Sequence, residues 1–405
     1  MSHRRRPGPA STALAALLLL SLQAAASARA LTLKPNRVTL SGGRSFELNL
    51  PEGFAVRVAA QGLRRPRFMA LSPDGRLFVT DMYNMADNER GAVYVLEGFD
   101  PVAGSFARVV PYLKRLRNPN SVAFFKDVDG AAWLYVALTD RLVRYRYEAG
   151  DDAPKHPPQT ITTFPDYGLN YKYGGWHLTR TVLAGGDGRV YVSVGSSCNA
   201  CAEKEDVRAS VLVMEPDGKG LRAYARGLRN AVGMKWVDGR LFVTNMGADH
   251  LGDHIPADTM HALEEGRDYG WPYCYQSGPR VFADAKFNPR GRKKPCRTVP
   301  VAHAAFDAHS SPLGLEYFGE NAPAGLKGSF LVAMHGSGKP SLGRGYSVVR
   351  VGSKGAAEDF LTGFRAGGKV RGRPVDVLAY EGGFLLTDDR AGAVYYVFRR
   401  QDGIE

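Results

Sequence analysis

The stretch Asp74-Gly75-Arg76-Leu77-Phe78-Val79-Thr80 returns as Asp187-Gly188-Arg189-Val190-Tyr191-Val192-Ser193. It returns again as Asp238-Gly239-Arg240-Leu241-Phe242-Val243-Thr244. Each copy is a tight Asp-Gly turn followed by a β-branched and aromatic run, the signal of a hairpin. A short apolar strand precedes each turn: Met69-Ala70-Leu71, Arg180-Thr181-Val182 and Val232-Gly233-Met234. Looser copies pair Val122-Ala123-Phe124 with Leu134-Tyr135-Val136, Leu313-Gly314-Leu315 with Phe330-Leu331-Val332, and Val375 to Tyr380 with Phe384-Leu385-Leu386-Thr387. A further strand follows most copies, such as Ala92-Val93-Tyr94-Val95-Leu96 or Ala393-Val394-Tyr395-Tyr396-Val397. Six such meanders, spaced by roughly 50 residues, predict an all-β six-bladed β-propeller, with four-stranded antiparallel blades around a central channel. A β-sandwich with coincidental turns would not hold six copies in one register.

Such a ring leaves no room for a second domain, so residues 31–405 are expected to form a single propeller domain. The long inserts 147–175, 246–302 and 336–346 are the loops expected to carry function. Composition agrees: 44% hydrophobic and 23% charged residues exclude disorder, a collagen and a coiled coil. The 47 glycines among 405 residues favour many tight turns over long helices.

Residues 1–30 read as a secretory signal peptide. Arg4, Arg5 and Arg6 form a basic start, Leu14 to Leu22 an apolar stretch, and Ala28-Arg29-Ala30 a small-residue cleavage site. The apolar stretch is short for a membrane span, and no later run approaches the length that one requires. The mature chain is therefore expected to be periplasmic or secreted, without an integral span. The formal charge of +13 falls to +9 when four arginines leave with the leader. That surplus suits solubility or an acidic partner. No Lys/Arg block interleaved with aromatics marks a nucleic-acid surface.

The four cysteines are Cys198, Cys201, Cys274 and Cys296, which allow three pairings. The nearest-neighbour choice is Cys198–Cys201 with Cys274–Cys296. A Cys-x-x-Cys also serves in zinc sites and redox pairs. The second Cys-x-x-Cys of a zinc site is missing, and an exported chain favours structural disulfides.

In a propeller the first strand of each blade lines the channel, so the residues just before these strands meet at one mouth. Aligned on that strand, the slot holds Pro66-Arg67, Pro119-Asn120, His177-Leu178, Arg229-Asn230, Ser310-Ser311 and Arg373-Pro374. Three arginines, a histidine and asparagines thus converge from separate blades. Cations around one histidine suit an anionic ligand or cofactor. Individually, Arg67 could be a rim ion-pair residue, Asn120 a turn cap and His177 a structural histidine. His250, His254 and His261 have helical metal-site spacing, but Gly252 and Pro256 break such a helix, so they are read as loop residues. The same loop carries Gly247-Ala248-Asp249-His250-Leu251-Gly252-Asp253 and Asp258. Glycines with spaced carboxylates suit an oxygen-ligand cation such as calcium; ordinary Asx-turn chemistry is the alternative.

Several segments resemble one family, the pyrroloquinoline-quinone (PQQ) dependent sugar dehydrogenases. They are Gly174-Gly175-Trp176-His177-Leu178-Thr179-Arg180, Gly227-Leu228-Arg229-Asn230-Ala231-Val232-Gly233, Asp268-Tyr269-Gly270-Trp271-Pro272, His309-Ser310-Ser311-Pro312-Leu313-Gly314 and Gly372-Arg373-Pro374-Val375-Asp376-Val377. Gly195-Ser196-Ser197-Cys198-Asn199-Ala200-Cys201 is most similar to the sorbosone dehydrogenase branch. The resemblance runs through residues 50–400. It implies PQQ over the channel mouth, calcium holding the quinone, and oxidation of a sugar or sugar aldehyde. It implies His177 as general base and Arg229 beside the quinone carbonyls. Asn230, Arg373 and Asn120 become cofactor contacts, and Lys339, or else Arg344, the counterpart of the family's cofactor lysine. The Gly247 and Ala248 carbonyls, with Asp249 and Asp253 beside them, become the metal turn. An external electron acceptor, a cytochrome c or a quinone, would complete the cycle. Trp176 stands where the glucose enzymes carry an aspartate, and Val375 where they carry a second arginine. Met246 and Ala248 replace a glutamine and a proline of the metal turn.

The chemistry is consistent with these residues. Neutral histidine suits a base near pH 7, calcium a Lewis acid, and arginine the charge growing on a reduced quinone. Two other classes share the fold: calcium-dependent hydrolases of the lactonase kind and non-catalytic binding propellers. A lactonase would ring its metal with carboxylates and asparagines, whereas these slots hold mostly arginine and histidine. A scaffold has no need of a histidine facing converging arginines.

Overall fold

The computed structural model describes Met1 and residues 31–165 and 176–400. The leader expectation therefore falls, apart from Met1, outside the described residues, as do Gly174 and Gly175. Leu31–Glu405 groups as one compact unit. Six four-stranded antiparallel sheets make the propeller. Their inner strands are Pro66–Leu71, Ser121–Lys126, Arg180–Ala184, Ala231–Val237, Pro312–Phe318 and Pro374–Tyr380, in blades 1 to 6. Each pairs with the second strand that the repeat predicts, such as Leu77–Asp81 in blade 1 or Arg240–Asn245 in blade 4.

The ring closes by a step absent from the repeat pattern. The fourth strand of blade 6 is Phe54–Gln61, from the other end of the chain, paired antiparallel with Ala393–Arg399. Both termini of the ring thus share one sheet, so the blades cannot part without breaking a ladder.

The repeat's last residue has a definite task. In blades 1, 4 and 6 the inner strand bulges against the second strand. The bulge takes a backbone N–H out of the ladder, and such a group needs a partner. Thr80, Thr244 and Thr387 supply it: their Oγ1 accepts from Phe68, Gly233 and Asp376 N–H at 3.0, 2.8 and 3.0 Å. The same hydroxyls donate to the next blade, at Asn120 O, Leu313 O and Arg67 O, each at 2.7 Å. One side chain therefore repairs its own blade and ties it to its neighbour.

The core is partitioned between the blades. Phe78, Val93 and Tyr112 of blade 1 pack on Val122, Leu134 and Val136 of blade 2. Phe78 is fully buried, with edge-on Tyr112, Phe124 and Tyr147 at 5.0, 4.9 and 5.8 Å. Similar clusters fill the other junctions. Each buried large apolar side chain contributes about 1.5–3 kcal/mol. Phe68, Val232, Leu313 and Val375 of four blades meet in a separate cluster on the inner strands.

The stretch 246–302, expected as one loop, holds the third strand of blade 4, Asp258–Leu263, and the insert proper, 264–303, separates that strand from the fourth, Ala304–Phe306. It carries its own hairpin, Cys274–Ser277 with Arg280–Ala283. Both expected disulfides are present, Cys198–Cys201 and Cys274–Cys296. No helix among the described residues is long and apolar enough to cross a membrane.

Candidate active site at the channel mouth

The slot residues do converge. A cavity of ≈ 270 Å³ is walled by Arg67, His177, Asn230, Ser311 and Arg373, with His335 beside them. Val232 and Leu313, from the inner-strand cluster, line it as well. Trp176 and Met85, both well exposed, supply further apolar lining. Trp176 and Ser311 hold φ of 75° and 56°. Such values are costly for non-glycine residues and persist where the surroundings impose them. Gly195 is required by the packing: a Cβ there would collide with Asn230 Oδ1 and the His177 side chain.

His177 is held by one ring nitrogen. Its Nδ1 lies 2.8 Å from Ser196 O. A carbonyl only accepts, so Nδ1 carries the proton and Nε2 presents its lone pair. Nε2 has no hydrogen-bond partner among the described residues. Burial, then the Arg229 charge, holds the imidazole pKa well below 6.5, against the opposing Ser196 contact. The ring is thus a neutral base of fixed tautomer at neutral pH.

Behind the opposite wall lies a buried charge network. Asp389 accepts from Arg65 and Arg67 at 2.9 and 3.0 Å and faces His335 Nε2 at 3.0 Å. Burial opposes ionisation of this carboxyl, but His335 and the two arginines hold its pKa below the usual carboxylate range. Burial pushes His335 down to about 4. Arg373 is anchored by its Nε to His335 O at 3.0 Å and by Nη2 to Gly336 O. Arg67 and Arg373 therefore present cationic groups to the cavity with one buried carboxylate as counter-charge.

Other expected site residues are placed differently. Asn120 shares the slot but is not on the cavity wall. Its Oδ1 accepts from Arg67 Nε at 3.0 Å and its Nδ2 donates to Thr181 Oγ1 at 3.1 Å, so both ends tie neighbouring blades together. Arg229 turns away from the cavity. Its Nε donates to Asn199 O at 2.8 Å, and Nη2 to Asn199 Oδ1 at 3.0 Å and Asp249 Oδ2 at 3.3 Å. Lys339 is exposed and pairs with Asp253 at 3.1 Å, while its neighbour Gly338 reaches the cavity wall. Arg344 donates to the Asp253 carbonyl.

In the expected metal turn, Asp249 and Asp253 do not converge. Asp249 pairs with Arg229 and with His309 at 3.0 Å, and Asp253 with Lys339. The Gly247 and Ala248 carbonyls receive no hydrogen bond among the described residues. Asp258, buried beneath, accepts the Gly247 and Ser311 amides at 2.7 Å each, and burial raises its pKa to about 6. The one group of three His, Cys or acidic side chains close enough to share a metal, among the described residues, is Cys198, Cys201 and Glu203. Its sulfurs are already bonded to each other. His261 is not a loop residue: it lies buried in the strand Asp258–Leu263.

Sequence reasoning missed His335 and Asp389. They stand two residues past the last repeat residue in their blades, where Met246 stands in blade 4. Extending the alignment past the second strand exposes this second ring of positions.

The TrAA12-like family model matches residues 48–363. The chain belongs to this family. Among solved structures, the chain is similar to the holo form of the pyranose dehydrogenase PQQ domain from Coprinopsis cinerea. That likeness has 19% identity, 87% coverage of this chain, 97% of the other and a TM-score of 0.69. It is similar to the calcium structure of the Trichoderma reesei carbohydrate-active enzymes family AA12 protein, at 18% identity, 87% and 96% coverage and TM-score 0.69. It is also similar to the PQQ-bound aldose sugar dehydrogenase from Streptomyces coelicolor, at 20% identity, 86% and 99% coverage and TM-score 0.57. The TrAA12-like chain and these structures share the propeller fold.

Proposed function

We propose that this TrAA12-like protein is a PQQ-dependent oxidoreductase of sugars or sugar aldehydes, exported after loss of residues 1–30. The observation that carries the reading is the cavity itself, which sets a neutral, tautomer-fixed histidine against Arg67 and Arg373. PQQ is an anionic quinone, and the residues present fit it. Arg67 and Arg373 offer cationic donors to its carboxylates, and the buried Asn230 Oδ1 has no partner among the described residues. Calcium fits the carbonyls of Gly247 and Ala248, hard oxygen ligands that accept no hydrogen bond among the described residues. The Asp249 and Asp253 side chains are committed to basic partners, so the carbonyls are the better ligands.

Bound here, PQQ would supply a two-electron acceptor and calcium a Lewis acid. The chain's own residues do the rest. His177 Nε2 takes the substrate hydroxyl proton, and the Ser196 carbonyl fixes the ring in the tautomer that allows this. Burial, and then the charge of Arg229 behind the histidine, keep it unprotonated. Arg67 and Arg373 favour negative charge in the cavity, held ready by Asp389, His335 and backbone carbonyls rather than reorganised on demand. Trp176 offers an exposed apolar face for a sugar ring. An external acceptor, a cytochrome c or a quinone, would take up the electrons.

Equilibrium titration of the purified chain with PQQ, with calcium and with chelator, tests the reading. Saturable binding that chelation weakens, with dye reduction on adding an aldose or aldehyde sugar, is expected. PQQ binding no tighter than to an unrelated basic protein would overturn it.

A further inference from the structure

The segment 195–203 touches His177, Arg229 and the turn at Asp249, yet none of its side chains lines the cavity. Ser196 O holds His177 Nδ1, Ser196 N–H donates to Arg229 O at 2.8 Å, and Ser196 Oγ donates to Cys198 O at 2.7 Å. Three residues on, Asn199 is half-buried inside the ring closed by Cys198–Cys201. Its backbone carbonyl accepts Arg229 Nε. Its Oδ1 accepts both Arg229 Nη2 and the Asp249 N–H, at 3.0 and 2.9 Å. Glu203 braces the other side, accepting Ser197 N–H and Oγ–H at 2.8 and 2.7 Å.

We infer that Asn199 is a positioning residue, which sets both the Arg229 guanidinium and the Gly247–Asp249 turn, and that the Cys198–Cys201 ring exists to hold it there. One oxygen joins the residue that tunes the base to the turn that offers the open carbonyls. Its placement therefore fixes two parts of the site relative to each other. The ring spans three residues in sequence, and the entropic gain from a disulfide grows with the loop it closes. So small a ring contributes little to global stability, and its consequence is local order. Cys274–Cys296, separated by 22 residues, is the larger staple. An Asn side chain offers two acceptor lone pairs on one oxygen, and both are used here. Alanine removes them; aspartate keeps them.

The experiment has one arm independent of the proposed function and one that rests on it. The first reads amide hydrogen exchange in the ligand-free protein over peptides spanning 246–254. Asn199→Ala should speed exchange at Asp249 by about tenfold, as expected for one lost hydrogen bond of ordinary net strength. Its thermal midpoint should stay close to that of the parent. Asn199→Asp should restore protection, and Cys198→Ser with Cys201→Ser should behave as Asn199→Ala does. The second arm titrates calcium and PQQ together. Loss of a residue that orients ligands from behind commonly costs 10–100-fold in affinity, and that range is expected for Asn199→Ala, with rescue by Asn199→Asp. Unchanged exchange at Asp249 in both Asn199→Ala and the double serine variant would overturn the inference. So would equal loss in Asn199→Ala and Asn199→Asp, which would mark a general packing role. Absence of PQQ binding in the parent protein refutes the proposed function instead, and leaves the exchange arm to decide this one.

Discussion

His177→Ala isolates the proton-transfer step. In the parent, Nδ1–H is fixed at 2.8 Å from Ser196 O, and Nε2 is the one lone pair a substrate hydroxyl can use on this ring. Alanine removes that base without touching Arg67 or Arg373, so cofactor loading should survive. Base catalysis of this kind typically contributes 10²–10⁴-fold, equivalent to about 3–5 kcal/mol of barrier at 1.36 kcal/mol per decade. Anaerobic stopped-flow reduction of PQQ-loaded protein by an active sugar reads that step directly. The pH profile adds a second signature. Burial and the Arg229 charge hold His177 well below 6.5, so the acid limb of reduction should lie below that value in the parent. Arg229→Gln should move it up towards 6.5. The direction follows from removing a positive charge that disfavours the imidazolium. Reduction of His177→Ala at the parent rate would refute the base assignment. A parent acid limb at or above 6.5 would refute the electrostatic part.

Three further outcomes are expected. Asp389→Ala strips the buried partner from Arg65, Arg67 and His335, and uncompensated buried charge typically costs about 3–5 kcal/mol; calorimetry should register a large fall in thermal midpoint, and an unshifted one would contradict the network. Asp376, which accepts the Met69 N–H at 2.9 Å, has its pKa raised to about 8 by burial. A raised folded-state pKa gives stability that is full below the unfolded value of about 3.8 and is lost as pH rises through about 8. Asp376→Asn removes that loss, so chemical denaturation should find the variant gaining on the parent by about 1.4 kcal/mol per pH unit between those values; a gap independent of pH would contradict it. Trp176→Ala should raise KM for the sugar with little change in kcat, since the proposed indole contact would be the same in ground and transition states. An unchanged KM across aldoses would remove Trp176 from the substrate contacts.

The fold was legible because the repeat carries the physics of a blade in a few residues: an Asp-Gly turn, an apolar strand buried at successive positions, and a terminal hydroxyl residue. Its hydroxyl role was not legible, since a threonine at a strand end has no sequence mark of the bulge it repairs. The ring closure was hidden for a related reason. Phe54–Gln61 looks like any apolar strand, and its partner Ala393–Arg399 lies at the far end of the chain. At the site, alignment on the inner strand brought Arg67, His177, Asn230 and Arg373 to one cavity. It put Arg229 and Asn120 in the same slot, but a slot fixes the backbone and leaves the side chain free to find a better partner. Arg229 found Asn199 and Asp249; Asn120 found Arg67 and Thr181. Asp249 and Asp253 read as metal carboxylates by spacing, and their pairing with Arg229, His309 and Lys339 depends on loops that spacing does not describe.

The central claim is that the arginine- and histidine-walled cavity is the seat of an anionic quinone. A crystal structure of the chain loaded with PQQ and calcium tests it most directly. Quinone density is expected in the cavity of ≈ 270 Å³, its carboxylates toward Arg67 and Arg373 and its ring facing His177 Nε2. The metal is expected on the Gly247 and Ala248 carbonyls. Quinone bound elsewhere on the ring, or a loaded protein whose His177 faces solvent away from it, would refute this assignment.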